Sequence, residues 1–179
     1  MTLREALVNG ARAAIASSFG GPPPEAPPGL DELQELGACF VTLTERGELR
    51  GCVGNIVPEG ALWDALVHNA HAAAFRDHRF PPLGASELAE AHIAVSVLSP
   101  LERIPARTEA ELVAGLRHGI DGVVLRWQGR SATFLPQMWE RLPDPRQFLL
   151  HLRRKGGIPS ERWPDGITAS RFTVEEYAE

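Results

Sequence analysis

Ala38-Cys39-Phe40-Val41-Thr42-Leu43-Thr44 and Glu48-Leu49-Arg50-Gly51-Cys52-Val53, separated near Glu45-Arg46-Gly47, decide how this chain folds. Phe, Val, Thr and Leu favour extended backbone, and Gly47 suits the left-handed position of a tight turn. The spacing predicts an antiparallel hairpin. Its second strand ends on Gly51-Cys52-Val53-Gly54, a cysteine bracketed by glycines. Glycine weakens a strand interior, and one reason to accept that is the close approach of another backbone or of a ligand. The register stays open: Cys39 lies opposite Cys52 or offset from it, depending on where the turn falls.

Helices and further hairpins flank this pair. Residues 3–19 read as an amphipathic helix opened by a Thr2/Glu5 capping box, with Leu3, Leu7, Ala14, Ile15 and Phe19 on one stripe. The glycine- and proline-rich run 20–29 cannot continue a helix and reads as a surface connection. Ala61 to Arg76 carries a buried stripe of Leu62, Leu66, Ala70 and Ala74, widened by Trp63 and Val67. Ile93, Val95 and Val97 alternate with polar or small residues, as in a strand. Thr108 to Arg117 reads as a capped helix. Ile120 to Trp127 and Arg130 to Leu135 read as a hairpin across Gln128-Gly129. A helix from Asp144-Pro145 to about Lys155 follows, and Ile167 to Tyr177 reads as a last strand. Strands arrive mostly in hairpins rather than strand–helix–strand crossovers. The expectation is therefore an α+β fold, a mostly antiparallel sheet with packed helices, in one compact unit over residues 1–179.

Composition narrows the function classes. The chain has 179 residues, 44% of them apolar, enough for a sizeable core without staples. A net charge of −5 argues against broad attraction to nucleic-acid phosphates, so no nucleic-acid role is expected. The cluster Arg153-Arg154-Lys155 fits compensation of a helix dipole. Two cysteines are too few for a disulfide scaffold. Met1 to Leu7 shows no basic start before an apolar stretch, and no apolar run nears the roughly 18 residues of a membrane span. The expectation is a cytoplasmic protein with free thiols and no membrane partner. No P-loop, Rossmann fingerprint, Gly-x-Ser-x-Gly elbow or paired Cys-x-x-Cys is present, so no cofactor is assigned.

Five separated blocks are similar to those of a known family. They are Gly37–Leu43 with Leu49–Gly54, then Asn69–Leu83, Ile93–Pro100, Gly119–Leu125 and Thr133–Trp139. In this order they resemble the AMMECR-type domain family, over about residues 3 to 174. The resemblance implies an α+β fold with a larger and a smaller lobe. It also implies a component of a three-part prokaryotic system, AmmeMemoRadiSam, with a Memo-like protein and a radical SAM enzyme as partners. No settled activity comes with it, but it marks Leu49 to Gly54 as a suspected active or binding site. His78 stands where the family often has proline, and Cys39 is outside the usual motif.

The candidate catalytic residues are Cys52 as nucleophile, Arg50 as a charge favouring the thiolate, and His71 as base. In a regular strand Arg50 and Cys52 share a face. The plain alternative is that Cys52 is a small packed hydrophobe. Gly51, Gly54, Asn69, Arg79 and Thr133 are the candidate substrate-binding residues. Asn69 and Arg79 could orient a polar substrate, or Asp77 and Arg79 simply pin the turn after the helix. Asp64, His68 and His71 lie at helical spacing but lack a tight zinc signature, so no metal is assigned. Two functions follow. One is an enzyme or enzyme component that uses Cys52 on a small metabolite in a cleft between lobes. The other is a non-catalytic adaptor that presents substrate to a Memo-like protein and a radical SAM enzyme.

Overall fold

Thr2 caps α1 (Leu3–Ser17) by accepting from the Glu5 N–H, and the Glu5 carboxylate accepts from the Thr2 N–H in return. The computed structural model describes all 179 residues, Met1–Glu179. The chain divides into two compact units, Met1–Leu98 with Glu175–Glu179, and Ser99–Val174.

In the first unit, β1 (Leu36–Glu45) and β2 (Glu48–Gly54) form the expected hairpin. Arg46 and Gly47 both take positive φ, 52° and 82°, the two left-handed positions of a tight hairpin turn. β3 (Gly60–Ala61) pairs with the start of β1 and leads into α2 (Leu62–Phe75). After α2 come α3 (Ala85–Glu90) and β4 (His92–Leu98), which pairs antiparallel with β1. The sheet order is β2-β1-β4-β9, with β9 (Val174–Ala178) supplied by the C-terminal segment. Strand β2 is therefore an edge. Val41, Leu43, Ile93 and Val95 are buried on one face of the sheet, against Leu7 and Ile15 of α1 and Leu66 and Ala70 of α2. The alternate positions, Phe40, Thr42 and Ala94, point to the other face and are only partly buried.

The second unit carries β5 (Glu102–Ile104), α4 (Glu109–Gly115), β6 (Gly122–Trp127), β7 (Arg130–Phe134), α5 (Met138–Arg141), α6 (Pro145–Lys155) and β8 (Thr168–Phe172). Its antiparallel sheet has the order β5-β8-β6-β7. Trp139 stacks on Phe148, ring centroids 3.9 Å apart, at the centre of this core.

The expected α+β fold of mostly antiparallel strands with packed helices is present, its strands lying in two sheets. Two sequence expectations change in detail. The last strand, expected over Ile167 to Tyr177, is broken at Thr173 into β8 and β9, which belong to different sheets. The helix expected to reach Arg117 stops at Gly115, because Leu116 turns to extended backbone. No helix is long and apolar enough to cross a membrane.

Candidate functional site

The edge strand β2 sets the site. Gly51 has no room for a side chain: a Cβ there would lie 2.2 Å from the Ala73 carbonyl oxygen of α2. The backbone of β2 thus lies directly on the helix, the close approach that the glycine predicted. Because Gly51 faces α2, Cys52 faces the opposite side of the sheet. Cys52 pairs with Thr42, so the expected register question is resolved: Cys39 pairs instead with Val97 of β4. The Thr42 hydroxyl donates to the Cys52 sulfur at 3.3 Å. Cys52 is partly exposed, whereas Cys39 is buried, and both are free thiols. Burial pushes the Cys39 thiol up to about 11.

The main chain of Cys52 is held from outside the sheet. Its N–H donates to Asp77 Oδ2 at 2.9 Å, and its carbonyl accepts from the Arg79 guanidinium at 3.3 Å. Both groups therefore point away from β1, where an added strand would otherwise bond. Asp77 also accepts from the Arg79 side chain at 2.7 and 2.9 Å and from the Arg79 N–H at 3.2 Å. The Arg79 side-chain bonds, foremost, hold the Asp77 carboxyl well below the usual carboxylate range, against an opposing effect of burial. Asp77 and Arg79 do pin the turn after α2. They also clamp the cysteine strand, which the sequence reading did not foresee.

The remaining candidates are distributed as follows. Arg50 does not share a regular strand with Cys52. The pairing steps from Leu43↔Gly51 to Thr44↔Leu49, so Arg50 is the extra residue of a β-bulge. Its buried guanidinium donates to both Glu87 oxygens, at 3.0 and 3.3 Å, and to the Pro81 carbonyl at 3.0 Å. It is committed to α3 and the loop before it. His71 points toward α1 instead of β2. Its ring packs 4.9 Å from the Phe75 ring and borders a depression shared with Ala14, Ser17 and Pro24. Burial first, then Arg76 and His68, hold its pKa below the ordinary histidine value. No hydrogen bond joins it to Cys52. Asn69 is 3% exposed and donates to the Cys39 carbonyl at 2.9 Å and to Asn55 Oδ1 at 2.8 Å. Gly54 packs on the Phe40 ring, where a Cβ would come within 2.3 Å. Thr133 lies on β7 in the second unit, where its carbonyl accepts from Lys155 Nζ at 2.8 Å. No group of three or more His, Cys, Asp or Glu side chains is arranged to hold a metal.

Chemically, the arrangement presents a partly exposed cysteine on a doubly clamped strand, with a hydroxyl donor 3.3 Å from its sulfur and no imidazole hydrogen-bonded to it. The family model for AMMECR1 matches residues 8–177. The chain belongs to the AMMECR1 family. Among similar AMMECR1 relatives, Protein Mbar_A1807 of Methanosarcina barkeri is 36% identical over 162 residues, 84% of this chain and 80% of that one. Protein MJ0810 of Methanocaldococcus jannaschii is 31% identical, covering 100% of this chain and 92% of its own. The AMMECR1 fold here is similar to the crystal structure of PH0010 from Pyrococcus horikoshii. The TM-score is 0.83 at 33% identity, over 98% of this chain and 90% of that one.

Proposed function

We propose that this AMMECR1 chain is an enzyme or enzyme component that contacts a small metabolite through Cys52, on the sheet face that carries Thr42. The observation that carries this reading is the thiol itself. It is partly exposed at an edge strand whose main chain is fixed on both sides of the residue, by Asp77 and by Arg79. Fixing the backbone of a reacting or gripping group removes the cost of ordering it when the ligand arrives. The Thr42 hydroxyl would stabilise negative charge on the sulfur. Asp77 and Arg79 act as positioning residues in this reading, and Arg50 and His71 do not take part.

A second reading is favoured by one observation: the one hydrogen bond to the Cys52 sulfur comes from the Thr42 hydroxyl, and no base is bonded to the thiol. A nucleophilic cysteine normally has a partner that accepts its proton. In this reading the chain is a non-catalytic adaptor, and the face around Cys52 grips a ligand or docks a Memo-like protein or radical SAM enzyme. Replacing the chromosomal copy by Cys52→Ser and Cys52→Ala separates the two. The thiol reading expects both variants to behave as the gene deletion does while the protein accumulates normally. Full complementation by both would overturn it and leave the adaptor.

A further inference from the structure

Beyond the end of β2, on the α2 side, lies a depression of about 460 Å³, within the usual range for a small-molecule site. Gly54, Asn55, Glu59, Asp64, His68 and Asn69 line its polar part. Its walls are rich in acceptors that lack donors. The Asn69 amide nitrogen uses its two protons on the Cys39 carbonyl and on Asn55 Oδ1, which fixes the amide's orientation. No donor in the chain reaches Asn69 Oδ1, although Asn69 is 97% buried by its 3% exposure. That oxygen is also absent from the fully enclosed unpartnered atoms, Arg153 Nε and Trp163 Nε1, so it borders open space. Glu59 and Asp64, both exposed, take part in none of the ion pairs. No lysine or arginine lines the depression. Gly54 adds a carbonyl with no loop or side-chain partner. It lies two residues from Cys52, so its polar groups turn the same way, out from the open edge of β2.

An amide oxygen that borders open space without a protein donor takes its donor from water or from a ligand. Here it shares the wall with two exposed carboxylates outside any ion pair, which a single cation could engage together with the amide oxygen. A ligand whose only strong feature is an ammonium group, a multiple donor with no acceptor, satisfies all of them together. We propose that this depression binds a small aliphatic amine cation, with an ammonium group held between Asn69 Oδ1 and the Glu59 and Asp64 carboxylates. The proposal rests on the reading of Leu49–Gly54 as part of a small-molecule site through Gly54 alone, and it does not require the thiol.

Isothermal titration of the full chain with putrescine and spermidine tests it, with glutarate as the anionic control. The expected result is saturable one-to-one binding of at least one of the amines and none of glutarate. Glu59→Gln and Asp64→Asn, both at exposed positions, should each weaken it about tenfold or more, as loss of a charged hydrogen bond does. Glu140→Gln, at an exposed position in the second unit, should leave it unchanged, as should Cys52→Ser. Absence of saturable binding, or equal weakening by Glu140→Gln, would overturn the proposal. Loss of amine binding in Cys52→Ser would overturn the separation from the thiol. If amines do not bind but Cys52→Ser still abolishes cellular function, the thiol reading survives and only the amine site fails.

Discussion

Asp77 Oδ2 accepts the main-chain N–H of Cys52 at 2.9 Å, twenty-five residues away in sequence, across the open edge of β2. The same carboxylate holds Arg79, whose guanidinium returns to the Cys52 carbonyl. One loop thus satisfies both edge-facing polar groups of the cysteine, which a neighbouring strand would otherwise do.

This clamp predicts a pH-dependent contribution to stability. The Asp77 carboxyl is depressed in the folded protein. A depressed carboxylate stabilises fully above its unfolded pKa, about 4, and that contribution is lost as pH falls from there toward the folded value. Asp77→Asn should therefore cost about 1 kcal/mol near neutral pH, a modest figure because Arg79 faces solvent. Urea titrations at several pH values should show the gap between native protein and variant narrowing below about pH 4. A gap that stays constant down to the acid limit would contradict it.

Gly51→Ala should be severe. The new methyl would sit 2.2 Å from the Ala73 carbonyl, and neither backbone can yield cheaply. A loss of about 3 kcal/mol is expected in chemical denaturation. Gly54→Ala meets mainly the Phe40 ring, so Phe40→Ala should recover part of its cost, although the Cys39 carbonyl at 2.7 Å limits the rescue. The same Phe40→Ala change should not rescue Gly51→Ala.

The hairpin, its turn at Arg46-Gly47 and the α2 stripe were legible because each repeats a local pattern. The close approach at Gly51 was legible too, because a glycine in a strand asks for a reason. The bulge at Arg50 was not. Register depends on what packs against the sheet, and nothing in Leu49-Arg50-Gly51 marks one residue as extra. His71 illustrates the same gap. Its place on α2 was clear, but which side of α2 meets β2 is fixed by Ala73 and Asn69, and His71 falls on the far side. Helix α3 escaped because six residues give no periodicity, and its start is capped only from within, by Glu87 accepting the Gly84 N–H at 2.6 Å. The unpaired Asn69 oxygen had no signal in sequence at all, since it depends on what surrounds the amide.

Arg50 should prove structural. Its guanidinium is buried against Glu87, whose pKa it lowers together with the Gly84 N–H. Arg50→Met should cost about 2 kcal/mol, because it removes a charged pair that solvent reaches only on the Glu87 side. The labelling rate of Cys52 in the folded variant should match that of the native protein. A large change in that rate at unchanged stability would return Arg50 to the thiol's chemistry.

The most direct test compares the two thiols within one molecule. Native protein is treated briefly with iodoacetamide near neutral pH, and the modified cysteine is identified by peptide mass spectrometry, with a denatured sample as reference. The structure predicts that Cys52 is alkylated in the folded state while Cys39, buried and with its thiol pushed up to about 11, reacts only after unfolding. Protection of Cys52 equal to that of Cys39 would contradict an accessible thiol at the clamped edge of β2.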